Sequence, residues 1–381
     1  MSGGPRINDM LSDMNDAEAY SYIFPALRGI QAGQEYYCAM CPLSLIPKLF
    51  LFDEKVLPPK LRAQRLLNRS RVPAISKYIL EDPKNYVFSS ITASIDGRIN
   101  FRAFAEGGPA SKVGYLVIPM DAKLVINDGQ HRRAAIEEAL KQKPELGLEH
   151  ISVVFFVDSG LKRSQQMFAD LNKNAIRPTM SLGILYNHRD PLSGLCERII
   201  EQVPVFAGRV DVERSSISNR SHDLFTLSSL YEATRILLDL RQRNSAISTK
   251  NETFAITYWR EVALHMRQWQ DIIEGKICAY DVRKHYVNAL GITLKALGNI
   301  GRQLWLEYPD DWKVKLEKLD TIDWSRSNKV WEGRVSYSGR IYASSKSLIL
   351  ITALIKRKIG LPISADEQTV ENSITNAERT Q

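Results

Sequence analysis

Six consecutive residues, Asp128-Gly129-Gln130-His131-Arg132-Arg133, gather a carboxylate, an amide, an imidazole and two guanidinium groups between an apolar stretch and an apolar-periodic one. Where a strand turns into a helix, the first helical N–H groups have no partner within the helix. Gly129 can take a positive φ there, or let a ligand approach the backbone closely. With His131, Arg132 and Arg133 at its mouth, such a turn has the makings of an anion pocket, and Gln130 joins Asp128, His131 and Arg132 in the candidate set. His131 also has the chemistry of a general base, and Asp128 that of a group to orient it or hold a metal. A nuclease would want several carboxylates around Mg²⁺, and Asp128 is the obvious one, so no metal is expected. The plain alternative is a helix cap at Asp128 and two arginines on a solvated face. A second polar loop carries Asn172, Asn174 and Arg177. Both loops follow adjacent strand regions and are expected to meet at one sheet edge, where α/β folds usually place ligands.

The surrounding pattern says what must position these groups. Residues 114–126 are rich in β-branched and aromatic side chains and read as one or two strands. After the turn, Ala135, Ala139 and Leu140 share a helical face, and Lys141 to Pro144 supply a basic last turn and a breaker. Two β-rich runs meet at Asp96-Gly97, which predicts a hairpin. Residues 151–157 form an unbroken apolar strand, and 161–171 a helix with Met167, Phe168 and Leu171 inward. Earlier, residues 29–54 read as a strand, a Pro-marked turn and a short apolar segment, and Val72, Ile75 and Ile79 form a stripe. An α/β domain is expected over 18–186, after a polar tail at 1–17. From Asp190-Pro191, an N-cap with the favoured first-position proline, helical periodicity takes over. Helices are expected over 223–241 and 258–273, with a third carrying Val287, Leu290, Leu294 and Leu297 and weakened by glycines 291, 298 and 301. This basic helical domain runs over 187–360, and a polar tail over 361–381. No internal repeat is evident.

The net charge of +8 and a pI near 9.2 favour an anionic partner. Residues 282–306 contain no Asp or Glu, while Arg283, Lys284, Lys295 and Arg302 are present. Residues 323–358 set eight Lys/Arg, including Arg326, Lys329, Arg334 and Arg340, against two acids. A third concentration is Lys60, Arg62, Arg65, Arg69 and Arg71. Such clusters are the footprint of phosphate-backbone binding, or else solvated faces. Cys38 and Cys41 have redox or zinc spacing but no second pair downstream, so buried reduced thiols are expected, with a redox-sensing thiol at one of them the rival. The six tryptophans pack a core or stack on bases, core packing being the commoner fate. His188-Arg-Asp190 imitates a kinase triplet without a glycine-rich loop, so a capping role for Asp190 is expected. No apolar run has membrane-spanning length and residues 1–16 lack a signal design, so a cytoplasmic protein is expected.

Three stretches carry a family resemblance: DGQHRRAAI at 128–136, FADLNKNAIRPTMSLGILYNHRDPLSGL at 168–195, and GIQAGQEYYCAMCPLSLIPKLF at 29–50. Together they resemble the DGQHR-domain proteins and, among them, the DndB family, the regulatory members of bacterial DNA phosphorothioation (sulfur-modification) systems. The resemblance spans about residues 20–360. It implies a ParB/sulfiredoxin-like fold, in which a Gly-x-x-Arg turn at a helix N-terminus holds a nucleotide's phosphates, and so carries Gly129 and Arg132 over as phosphate ligands. It also shows a departure: Gln130 stands where sulfiredoxin has its reactive cysteine, and an amide is no nucleophile. The expected fold is therefore α+β, a ParB/sulfiredoxin-like α/β domain followed by a helical DNA-binding domain.

The implied function is a DNA-binding repressor of a phosphorothioate modification gene cluster. It would act as a homodimer on double-stranded DNA at its own operon's promoter, alongside other proteins of the system. A nucleotide-dependent enzyme, an NTPase or DNA-nicking activity centred on His131 and Arg132 with a nucleoside triphosphate as cofactor, is the alternative. A scaffold for the sulfur-transfer machinery using Cys38 or Cys41 is the third.

Overall fold

The computed structural model describes residues 20–50, 69–158, 163–173, 178–218, 220–241, 245–337 and 340–378. The chain forms two compact units, residues 1–176 and 177–381, each with its own apolar core.

In the first unit, β1 (Ser21–Gln31) and β2 (Gln34–Pro42) form a hairpin through Ala32 and Gly33. Both turn residues have positive φ, 51° and 72°, as the tight hairpin turn compatible with strand twist requires. Five more strands follow: β3 (Ile91–Asp96), β4 (Asn100–Ala103), β5 (Val113–Pro119), β6 (Lys123–Asp128) and β7 (His150–Val157). They assemble in the order β4-β5-β1-β2-β7-β3-β6, all antiparallel neighbours except β7 and β3.

The hairpin expected at Asp96-Gly97 does not form: β3 pairs with β7 and β6, and β4 pairs with β5. The reason is burial. Ile91, Ala93 and Ile95 of β3 are fully buried between their two neighbours, whereas β4 has no fully buried residue and edges the sheet. A local turn signal cannot outweigh a central, doubly covered strand.

Helix α1 (Val72–Glu81) packs on α2 (Gln130–Gln142), whose Ala135, Ile136 and Ala139 enter the core with Ile91 and Phe155. Helix α3 (Ser164–Lys173) lies along β6. There Ser164 Oγ donates to Asn127 Oδ1 at 2.6 Å, and Asn127 Nδ2 donates to Ser94 Oγ at 2.8 Å. Leu171, expected inward on α3, is instead 45% exposed. Thr92 pairs with Asp128 and Ala93 with Ile126. Asn127 is thus the extra residue of a β-bulge, a device that re-aims the strand end, here just before the DGQHR turn.

The second unit begins earlier than residue 187, because α4 (Met180–Leu185) packs on α6 (Leu227–Leu237) and buries Ile184 in that unit's core. Asp190 caps α5 (Pro191–Gln202): its Oδ1 accepts from Leu192 N at 3.1 Å, while Oδ2 accepts from the Tyr231 hydroxyl at 2.5 Å. The helix expected over 258–273 is two, α7 (Thr249–Leu264) and α8 (Arg267–Ile273), and the one expected from 223 starts at Leu227. Helix α9 (Ala279–His285) precedes α10 (Gly291–Glu307), and α11 (Trp312–Glu317) and α12 (Ser345–Ile359) follow.

The glycines of α10 are close-approach sites. A Cβ on Gly298 would lie 2.4 Å from the Ala233 carbonyl oxygen of α6, and one on Gly301 would lie 2.4 Å from Leu237 Cδ1 and 2.5 Å from the Tyr258 ring. The stretch expected as a polar tail carries α13 (Ala365–Glu378), docked on α12. Five of the six tryptophans are buried, and Trp305 is half-buried. Among the described residues, no helix is long and apolar enough to cross a membrane.

Candidate anion site and nucleic-acid interface

The DGQHR turn sits at the end of β6, the edge strand of the sheet. Gly129 is buried, is the N-cap of α2 and has φ 110°, a conformation that side-chain-bearing residues avoid. The space a Cβ would take is also claimed: Ile91 Cγ1 lies 3.0 Å and Arg132 Nη2 3.1 Å from it. Glycine is therefore required twice over. The first bond of the helix runs from Arg133 N to the Gly129 carbonyl at 2.9 Å, so the N–H groups of Gln130, His131 and Arg132 have no partner within the helix. That much is the expected anion pocket.

Side-chain placement refines it. Arg132 folds back over Gly129, its Nη2 donating to Asp128 Oδ2 at 2.5 Å and to the Ser90 carbonyl at 3.1 Å. Asp128 accordingly does not cap the helix but holds Arg132, and its carboxylate stays 42% exposed. Arg132 Nε is buried without a hydrogen-bond partner. His131 has its pKa lowered from the ordinary value, first by burial, then by the positive charges of Arg71 and Arg132, with Asp128 opposing. Burial and the two arginines thus favour the neutral form of the imidazole. Gln130 donates from Nε2 to the Ile126 carbonyl at 3.3 Å.

Arg133 leaves the mouth altogether. It is 8% exposed, bonds Glu137 at 2.5 Å and the Pro47 carbonyl at 3.1 Å, and lines a groove of about 820 Å³ between α1 and α2 where Arg69, Lys77 and Arg133 face Glu137 and Glu138. Asn174, Arg177 and the side chain of Asn172 lie outside the described residues. For a nucleotide's phosphate, a helix N-terminus whose first N–H groups have no partner within the helix, with Arg132 beside it, fits. The Asp128 carboxylate beside them is a repulsive neighbour, so the Asp128–Arg132 pair must open for an anion to enter.

The second unit's cations divide into two kinds. Arg283 is a strut. Its guanidinium donates to the Ser218, Ser221 and Asp223 carbonyls, pinning the loop between β8 (Val210–Asp211) and β9 (Phe225–Thr226). Arg326 donates in turn to the Arg283 carbonyl, and burial lowers its pKa. Arg334 pairs with Glu371 at 3.0 Å and Arg302 with Asp239 at 2.6 Å. Lys284, Lys329 and Arg340 are exposed, and Lys295 is half-buried. Through Arg283, the fold also brings exposed Arg220 and His222 to the corner that holds Lys284.

A family model described as DndB, DNA-sulfur modification-associated, matches residues 24–362. The chain belongs to the DndB family. No curated protein and no solved structure matches it.

Membership ties this DndB-family chain to DNA sulfur modification. Its two N-terminal cysteines can be placed within that setting. Cys38 and Cys41 lie three apart on β2 and so project from opposite faces of the sheet; they can form neither a disulfide with one another nor a shared metal site. Cys41 is fully buried and its thiol is pushed up to about 12, by burial and then by Cys38, so it is an inert core residue. Cys38 is half-buried.

Three contributors escaped sequence reasoning. Arg71, 60 residues before His131, reaches the DGQHR turn; its only signal was the basic run 60–71, read as backbone footprint. Arg220 and His222 had no signal beyond their polarity.

Proposed function

We propose that this DndB-family protein is a DNA-binding transcriptional regulator, a repressor of a phosphorothioate modification gene cluster. It would bind its own promoter as a homodimer, since paired half-sites multiply specificity, and work beside other proteins of the modification system. The observation that carries this reading is the exposed corner of the second unit where the cations Arg220 and Lys284 lie with the polar His222, built on the Arg283–Arg326 strut in a chain whose family is tied to DNA modification. Lys329 and Arg340 add exposed charge. Arg283 and Arg326 serve this surface by shaping it, since their donors are engaged by carbonyls of the chain.

A gel-shift titration of the operon promoter at several salt concentrations tests the proposal. Affinity is expected to fall with salt at a slope of about 0.9 per phosphate neutralised, and scrambled DNA is expected to bind far more weakly. Equal affinity for both sequences defeats specific repression.

A second reading is favoured by one observation, the buried Gly129 at φ 110° opening α2 beneath Arg132. It makes the DGQHR turn a nucleotide-binding site, with an NTPase or DNA-nicking activity as its strongest form. Isothermal calorimetry with ATP and CTP, using Arg132→Ala as control, is expected to show heat that the variant loses. No heat with either nucleotide retires this reading.

A further inference from the structure

Helix α13 is attached in a way its composition does not anticipate. A surface helix ordinarily docks through an apolar stripe, because packing supplies most helix stability in proteins. Among the described side chains of α13, the fully buried one is Glu371, at 2% exposure. Its Oε1 accepts from Arg334 Nε at 3.1 Å and its Oε2 from Arg334 Nη2 at 3.0 Å, the side-on two-bond fit that a guanidinium offers carboxylates and phosphates alike. Oε2 also accepts from Arg357 Nη1 at 3.2 Å. One turn earlier, Glu367 Oε1 accepts from Lys356 Nζ at 2.7 Å. Arg334 is oriented from behind, its Nη1 donating to the Val330 carbonyl at 3.0 Å.

Three cations of the helical body thus converge on two carboxylates of a single helix. A carboxylate lodged between two guanidinium groups stands where a phosphate oxygen pair would stand. We propose that Arg334 and Arg357 form a phosphodiester-binding fork, that Glu371 is its resident occupant, and that α13 is a displaceable cover, so that polyanion binding and α13 docking compete. Taking DNA as the natural ligand rests on the reading given under Proposed function. The physical ground is that charge pairs exchange hydration for one another and gain little net attachment. Over the described side chains of α13 the attachment leans on these pairs, so a phosphate chain can compete for the same cations, and the cover is held less firmly as salt rises.

The test uses the full-length protein. Glu371→Gln keeps the shape of the side chain and removes its charge. It is expected to bind a labelled duplex about 5- to 10-fold more tightly than wild type at low salt, with a slope steeper by about 0.9 per phosphate newly engaged. In the wild type, inorganic polyphosphate should accelerate amide hydrogen exchange across α13 while α12 stays protected. Unchanged or weaker duplex binding by a variant that melts normally overturns the proposal, as does α13 exchange that polyphosphate leaves alone. Should Glu371→Gln melt early, the charge swap of Arg334→Glu with Glu371→Arg decides. It keeps an ion pair but dismantles the fork, and a polyphosphate effect surviving in it also overturns the proposal. A wild-type chain that binds no duplex yet releases α13 to polyphosphate would defeat the repressor reading alone and uphold the fork.

Discussion

At the DGQHR turn, charge and backbone conformation act on the same few atoms. Burial and two arginines favour the neutral form of His131, lowering its pKa from the ordinary value of about 6.5. The unfolded chain therefore takes up this proton more readily than the folded one. The stability tied to His131 is present above pH 6.5 and is lost as pH falls below it. Thermal melts from pH 7.5 to 5.5 should show wild type losing more stability than His131→Gln, and parallel curves would show that the neighbouring charges are not felt. Much of this site was legible in the residues: glycine after a strand, opening a helix, with an arginine three positions on. Arg133 was misread for a reason that was also in the sequence, since successive helical residues are turned by about 100° and two adjacent arginines cannot face the same way. Arg71 was not legible, because nothing local marks an electrostatic influence across 60 residues of chain.

Elements were legible where burial and local pattern agree, and misread where they compete. The run at 150–157 and the capped start of α5 match expectation because β-branched content, proline position and capping all point one way. The Asp96-Gly97 turn misled because dipeptide chemistry sets a bend and not a strand's partner. Glycines 291, 298 and 301 misled more instructively. Propensity counts them as weakness at about 1 kcal/mol each relative to alanine, yet two of them are where α10 meets the backbone of α6 or the Tyr258 ring. Gly298→Ala should therefore cost about 1–3 kcal/mol in urea denaturation despite its better helix propensity. Gly183→Ala in α4, whose Cβ would meet nothing within 4 Å, should gain about 0.5–1 kcal/mol. If the two variants moved alike, the α6–α10 contact would not be the tight one described here.

Over the whole molecule, the net charge of +8 overstates what a partner can feel. Of the eight cations that the sequence offers for DNA contact, Arg283, Arg302 and Arg326 are engaged by carbonyls and carboxylates of the chain itself, and Arg334 is engaged while α13 is docked. Read across variants, the salt titration should separate the two kinds. Lys284→Ala should lower the slope by about 0.9 and leave melting alone, whereas Arg283→Ala should loosen the 212–224 loop and lower the melting temperature as well. Equal melting in both would make Arg283 a surface charge after all. Charge totals and clusters were readable from composition, but which cations face outward depended on carbonyls and acids remote in sequence, and only the fold reveals those. The strand order carries one more consequence, for synthesis rather than for binding. β2 completes its ladder against β7, more than a hundred residues later, so while the nascent chain is still inside the ribosome the β1–β2 ribbon is made but its open flank has nothing to bond. Until Val157 emerges, that flank is the place where a chaperone, or a neighbouring nascent chain, finds this protein adhesive.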